Sequence, residues 1–327
     1  LNPDATGAGK PPELIDRNDP KPGDARDQTC PLCAHGRAEV LPFRYAFGAR
    51  FLYGVRCSGC SFTYLDPMPS DDEIRALYEE DYFTTCSETC GAHGPRAYME
   101  MAAESGEDRR HSAKRLERLL LQHRGSRGDL LEVGCGPGYF LAELKALGWR
   151  VLGLEVSEFA AKVGREKLGI EIRIGHLERR TFEPDSFDVV FMGDVLEHLP
   201  RPRESLEAIR SWLRPGGIVA IAVPATMNLL AARLGLFTYA KARRFKTMRI
   251  PPYHLCEYTP RTLKHMIEQS GFRIRLLRQS AVPLGRMGLR GSTLENAGKV
   301  VLQVCAHLTS RLVNRGGDRL LAIAERR

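Results

Sequence analysis

The stretch Asp129-Leu130-Leu131-Glu132-Val133-Gly134-Cys135-Gly136-Pro137-Gly138-Tyr139-Phe140-Leu141 constrains this chain more than any other. Apolar residues and a glutamate run straight into three glycines at alternate positions, and an amphipathic segment over 139–147 follows at once. That order reads as a buried parallel strand, a tight turn and a helix. Glycines there let the backbone turn sharply and let a ligand lie against bare peptide, where a Cβ would collide. The first amides of the helix then face whatever binds. The spacing excludes the dinucleotide fingerprint G-x-G-x-x-G, whose last glycine would fall at Tyr139.

Three further stretches follow in order. Val151-Leu152-Gly153-Leu154-Glu155 is a second apolar strand ending in an acid. Phe187-Asp188-Val189-Val190-Phe191-Met192 leads to Leu196-Glu197-His198-Leu199. Leu213-Arg214-Pro215-Gly216-Gly217 precedes the apolar run 218–223. With the glycine loop, these resemble the motifs of the class I S-adenosylmethionine (SAM) methyltransferases over roughly residues 110–327. The resemblance implies an α/β, Rossmann-like sheet, mostly parallel with its last strand reversed. It implies that Glu132, Gly134, Cys135, Gly136 and Gly138 hold the methionine portion of SAM. Glu155, with Val156, would take the ribose hydroxyls. His176 and Leu177 stand where many relatives carry an acid for the adenine, and Met192, Gly193 and Asp194 would line the methyl channel.

The periodicity agrees with that fold. It predicts strands over 129–133, 150–154, 171–175, 187–192 and 217–223, alternating with helices over 138–148, 157–168 and 202–213. A helix over 96–124 precedes the first strand, and another over 262–270 ends at Gly271. Strands over 272–278 and 320–325, joined by a helix over 294–313, are expected to form the reversed hairpin.

Methyl transfer to a hydroxyl needs a base, and histidine alone titrates near neutrality without strong tuning. His198 follows the fourth strand, beneath the expected methyl. His254 lies in a stretch resembling the family's P-x-H-L-x-x-(F/Y)-T at the substrate mouth. Either is the candidate general base; the alternative is a histidine that only packs or fixes a loop.

Near the start, Cys30-Pro31-Leu32-Cys33 and Cys57-Ser58-Gly59-Cys60 are two C-x-x-C knuckles, whose spacing reads as a structural four-thiolate zinc site in a small ribbon. Buried unliganded thiols or an iron site are the alternatives. Cys86, Cys90 and His93 form a weaker cluster, read as a loop rather than a second metal site. The connector, Leu65-Asp66-Pro67-Met68-Pro69-Ser70 with Asp81-Tyr82-Phe83, resembles that of a bacterial group in which ribbon and connector cover the active site as a lid. In that group the suggested acceptors are sugars, surface glycans and secondary metabolites. A capped helix is expected from Ser70 to about residue 80.

Four segments are therefore expected: a polar, disordered leader over 1–28, a zinc ribbon over 29–66, connector or lid helices over 67–109, and the SAM-binding domain over 110–327. Within the last, 225–258 is expected to cover the active site. From Arg233 onward there are 19 Lys/Arg against 5 Asp/Glu, whereas the whole chain has 48 against 40. That excess suits an anionic or carrier-linked acceptor, RNA or a peripheral membrane contact; the bland alternative is a solvated basic face. No apolar run is long enough to cross a bilayer, no signal peptide is expected, and the free-looking Cys135 suits a reducing cytoplasm. The functional expectation is SAM-dependent O-methylation of a small molecule or glycan by in-line displacement. The alternatives are an RNA methyltransferase using the ribbon and basic third, and a non-catalytic SAM-binding scaffold.

Overall fold

The structure is a computed structural model and describes residues 19–84, 99, 105–177, 181–225, 230–248, 254–281 and 293–327. Four strands come first: β1 (Ala25–Asp27), β2 (Arg37–Phe47), β3 (Arg50–Cys57) and β4 (Thr63–Asp66). The connector carries α1 (Asp71–Arg75), a 3₁₀ turn at Ala76–Tyr78 and α2 (Glu80–Thr84). Next come α3 (Gly106–Arg124), β5 (Asp129–Val133), α4 (Tyr139–Ala146), β6 (Arg150–Glu155), α5 (Glu158–Leu168), β7 (Ile172–Ile174), β8 (Phe187–Gly193), α6 (Pro202–Trp212) and β9 (Leu213–Pro224). The chain continues through α7 (Leu230–Lys241), β10 (Lys246–Met248), β11 (Cys256–Glu257), α8 (Pro260–Gln269), β12 (Phe272–Ser280), α9 (Thr293–Val313) and β13 (Arg319–Arg326).

The larger sheet has the order β12-β13-β9-β8-β5-β6-β7. Its five core strands pair in parallel, and β13 runs antiparallel to both neighbours. The expected reversed hairpin is therefore present. Alternation along the strands divides the core in two. Leu130, Val189, Phe191, Ile218 and Ala220 face one cluster, with Leu120 of α3 and Leu141 and Leu144 of α4. Leu131, Val190, Met192, Val219 and Ile221 face the other, with Leu206, Ile209 and Trp212 of α6 and Met266 and Ile267 of α8. Strands buried on both faces must be apolar throughout, which explains the unbroken run 218–223. Trp212 is fully buried, with its ring edge-on to Phe182 at 5.0 Å. Trp212→Ala is expected to cost about 3–5 kcal/mol in equilibrium unfolding, because the surroundings cannot close over so large a cavity.

β9 starts earlier than its apolar run suggested. Leu213 already pairs with Phe187, and Arg214 reaches Asp129 and Asp188 at 2.9 Å each. Those contacts tie the Arg-Pro-Gly-Gly stretch onto the sheet. α8 starts at Pro260 because Thr259 and Thr262 form a reciprocal cap, with N–H···O distances of 2.9 and 3.2 Å. Of the helix expected over 96–124, α3 accounts for 106–124, while 96–98 and 100–104 lie outside the described residues.

The smaller sheet has the order β1-β2-β3-β4-β11, with β10 pairing Phe43–Tyr45 of β2 on the same side as β1, which pairs Arg37–Glu39. Two features differ from the sequence reading. Disorder does not extend over residues 19–28: Ala25–Asp27 pairs with Arg37–Glu39, Asp19 accepts the Tyr53 hydroxyl at 2.8 Å, and Arg26 meets the buried Asp66 at 3.1 Å. A polar segment can be ordered when it closes a sheet edge and answers a buried carboxylate. The sheet also takes β10 and β11 from the stretch read as the active-site cover. Its core, including Phe62, Tyr64 and Tyr258, is continuous with the α6/α8 face of the larger sheet. The connector helix is capped as expected by Ser70 and Glu73, but it gives way to the 3₁₀ turn after Arg75.

Candidate functional site

The glycine loop, Glu155 and the 192–198 stretch fall at the carboxyl ends of β5, β6 and β8, where ligands bind in such folds, whereas the Arg-Pro-Gly-Gly stretch lies at the amino end of β9. Gly134, Gly136 and Gly138 all have positive φ, at 65°, 53° and 78°. A Cβ on Gly134 would lie 2.6 Å from Val195 Cγ2. Gly134→Ala therefore meets both the left-handed strain of about 1–2 kcal/mol and this collision. An approximately tenfold loss of SAM affinity by calorimetry is the expected result. Two glycines outside the motif also shape the loop. Gly153 makes room for the Cys135 sulfur, and Gly164 lets α5 pass against the Pro137 carbonyl; a Cβ on either would sit 2.5 Å or less from an atom there. Cys135 is thus a buried packing thiol beneath the loop.

Glu132 is buried, and its Oε2 has no hydrogen-bond partner among the described residues. Burial, and then the nearby Glu155 charge, push its pKa well up. Glu155 is also buried. Its carboxylate accepts from the amides of Gly136 at 2.7 Å, Val156 at 2.9 Å and Ser157 at 3.0 Å. Burial raises its pKa against those three donors. A carboxylate has about four acceptor sites, so it retains capacity for another donor while it organises the loop.

Of the remaining expected positions, His176 is exposed and its carbonyl accepts from the Thr181 hydroxyl at 2.7 Å, while Leu177 packs on the core. The Met192 side chain lies wholly inside the core. Asp194 has φ 58° and meets Arg319 at 2.7 Å, which fixes the end of β8 against β13. Gly193 has the Phe191 ring beneath it.

The two candidate bases come together. The His198 and His254 rings lie 5.1 Å apart, at 68°. The Tyr78 hydroxyl is 3.1 Å from His198 Nδ1, and Glu257 is 3.8 Å from His254 Nδ1. Glu197 lies between the segments, completely buried, and neither carboxylate oxygen has a hydrogen-bond partner among the described residues. Burial, and then the Asp194 charge, raise its pKa to about 8. Burial opposes protonation of His254, but Glu257, Glu197 and Asp194 outweigh it and raise its pKa. The Leu255 amide donates to the Glu197 carbonyl at 2.8 Å and locks the two segments together. Sequence reasoning assigned no role to Tyr78, Glu197, Glu257 or Arg319. The "Leu-Glu-His" order was visible, but nothing in it shows which way the glutamate points.

In the smaller sheet, Cys30, Cys33, Cys57 and Cys60 converge, with all four sulfurs within 4.8 Å of one another. Both knuckles are the same turn. In each, the first sulfur accepts an amide two residues on, from Leu32 at 3.4 Å and Gly59 at 3.3 Å. Ala34 and Ser61, after the second cysteines, are both left-handed. Sulfur pairs at 3.6 and 3.7 Å match the edge of a tetrahedron with Zn–S bonds of about 2.3 Å. Cys86, Cys90 and His93 lie outside the described residues.

A mostly parallel sheet with a reversed final hairpin, a left-handed glycine loop and an acid at the end of the second strand define the class I methyltransferase architecture. The chain belongs to the SAM-dependent methyltransferases: a family model described as a methyltransferase domain matches residues 105–277. It is 29% identical over 182 residues to a probable S-adenosylmethionine-dependent methyltransferase of Mycolicibacterium smegmatis, covering 55% of this chain and 65% of that one. It is 33% identical over 98 residues to the ubiquinone biosynthesis O-methyltransferase of Aeromonas salmonicida, covering 28% of this chain and 41% of that one. The chain thus spans less than two thirds of the length of these relatives. A solved SAM-dependent methyltransferase of Archaeoglobus fulgidus is similar with a TM-score of 0.47 and 22% identity, over 70% of this chain and 100% of that one. No helix among the described residues is long and apolar enough to cross a membrane.

Proposed function

We propose that the protein methylates a hydroxyl of a small-molecule or glycan acceptor, and that the acceptor's proton is handled at the His198–His254 pair. The observation that carries this reading is the meeting of the two rings beside Glu197, at the carboxyl end of β8. The residues present fit SAM. The glycine loop offers bare peptide, Glu132 is an orphaned buried acid on the methionine side, and Glu155 has acceptor capacity left for the ribose. Val156, and His176 with Leu177, would border the ribose and adenine; Gly193 and Asp194 would border the reacting end. When bound, SAM supplies an electrophilic methyl group on sulfur. The protein's own contribution is to hold the acceptor oxygen in line, exclude water and remove its proton.

The four cysteines are proposed to hold a structural zinc ion. A closed four-thiolate site leaves no position for chemistry, so its role is to fold the small sheet that carries the site's cover. Exposed Lys241, Arg244 and Lys246 provide cationic surface for an anionic acceptor or its carrier. Free Cys135, Cys256 and Cys305 favour a reducing compartment, hence the cytoplasm.

The test is methyl-labelled SAM offered to panels of sugars, nucleotide sugars, phenols and total RNA. Label in an alkali-stable ether of a small molecule is the expected product. Its yield should fall about 100-fold or more in His198→Ala and His254→Ala while SAM affinity stays. Label confined to RNA, with binding that collapses steeply in salt, would replace this reading with the RNA one.

A further inference from the structure

The histidine pair and Glu197 have a feature that a simple general base does not require. Glu197 is a carboxylate with no exposure and no hydrogen-bond partner on either oxygen among the described residues. A buried acid in that state is costly unless a cation or a proton answers it. Two imidazoles stand beside it: one ligand atom from each of Glu197, His198 and His254 lies within 4.8 Å of the others. His198 Nε2 is 3.6 Å from Glu197 Oε1. The opposite edge of the His198 ring is turned to a group outside the cluster, Nδ1 to the Tyr78 hydroxyl, and His254 Nδ1 lies 3.8 Å from Glu257. Metal-ligating histidines are oriented in this way, one nitrogen to the ion and the other to a polar group behind.

We propose that Glu197, His198 and His254 form a binding site for a divalent transition-metal cation, distinct from the four-cysteine cluster. Two nitrogens and one oxygen suit zinc or a neighbouring divalent ion and leave coordination positions open. The ligands come from the turn after β8 and from the segment leading into β11, which belongs to the smaller sheet. The ion therefore joins that sheet to the catalytic core. Its chemical role rests on the O-methylation reading above; its presence does not. At an open position it lowers the pKa of the acceptor hydroxyl. The O–H bond breaks, the proton passes to bulk water at the partly exposed His254 edge of the site, away from the reacting line, and the electron pair stays on oxygen to form the new O–C bond as the S–C bond breaks toward sulfur. The histidines are then ligands, and no single imidazole has to be the base.

The experiment counts metal on the full chain without any acceptor. Protein purified with its four-cysteine site loaded with zinc is dialysed against Co²⁺. Bound metal is measured by atomic emission, and its ligands are read from the visible spectrum. The expected result is about one additional ion per chain with no sulfur charge-transfer band. Its affinity should fall about tenfold or more in both Glu197→Gln and His254→Ala. His254 is half-exposed, so His254→Ala carries the test should Glu197→Gln fail to fold. No additional ion with either Co²⁺ or Zn²⁺, or an additional ion held equally well by both variants, overturns the site. SAM calorimetry on the wild type runs alongside. Failure there overturns the methyltransferase reading by itself, because the metal count requires neither SAM nor acceptor.

Discussion

Glu155→Ala is expected to weaken SAM binding by about 100-fold or more, in a protein that still folds. The magnitude follows from hydrogen bonds to a charged acceptor, worth about 1.5–3 kcal/mol each, and a tenfold change per 1.4 kcal/mol. Two losses combine. The ribose diol would lose the acceptor proposed for it, and the amides of Gly136, Val156 and Ser157 lose the group that gathers them. The second loss loosens the glycine loop even before ligand arrives. Glu155→Gln separates the two effects, because its single carbonyl oxygen keeps part of the amide cradle without the charge; its affinity should fall between those of wild type and alanine. Calorimetric titration with SAM is the measurement. An affinity within threefold of wild type in Glu155→Ala would show that the backbone of the loop binds SAM without the carboxylate.

Removing metal from the four-cysteine cluster is expected to have the second large effect. Structural zinc contributes about 10–16 kcal/mol in small isolated folds. Here the sheet also shares a core with the larger domain, so part of its order should survive. The strands nearest the knuckles have the least other support. Hydrogen exchange should show amides of β2 and β3, including Val40, Leu52 and Val55, losing about a thousandfold in protection after chelation or in Cys57→Ser. The larger sheet should remain protected. Methyl transfer should fall in parallel, since β11, just after His254, is paired to β4 of the smaller sheet. A purified protein that contains no metal yet protects β2 and β3 would end the zinc reading.

These two expectations rest on features of different legibility. The glycine loop, the acid at the end of β6 and the paired cysteine knuckles are short-range patterns. Their backbone geometry is set within a few residues, by left-handed glycines in one case and by a repeated turn with amide-to-sulfur bonds in the other. The spacing of apolar residues likewise marked the alternating elements of the larger sheet, because burial on both faces demands it. Glu197 was not legible as a site residue. On a one-turn 3₁₀ segment, sequence does not say whether a carboxylate meets solvent or the interior, and here it is completely buried.

The sequence by itself determined the class of fold, the cofactor loop and the four-sulfur cluster, since each is encoded in residues close along the chain. Tertiary structure alone decided the rest. It drew residues 25–27 into a sheet, returned β10 and β11 to strands that lie far earlier in the chain, and set Tyr78, Glu197, His198, His254 and Glu257 around one point. The physical reason is that such pairings depend on the shared core beneath both sheets, where Phe62, Tyr64 and Tyr258 pack with the helices of the larger domain. Neither segment's own spacing specifies a partner so distant; burial of common apolar surface does.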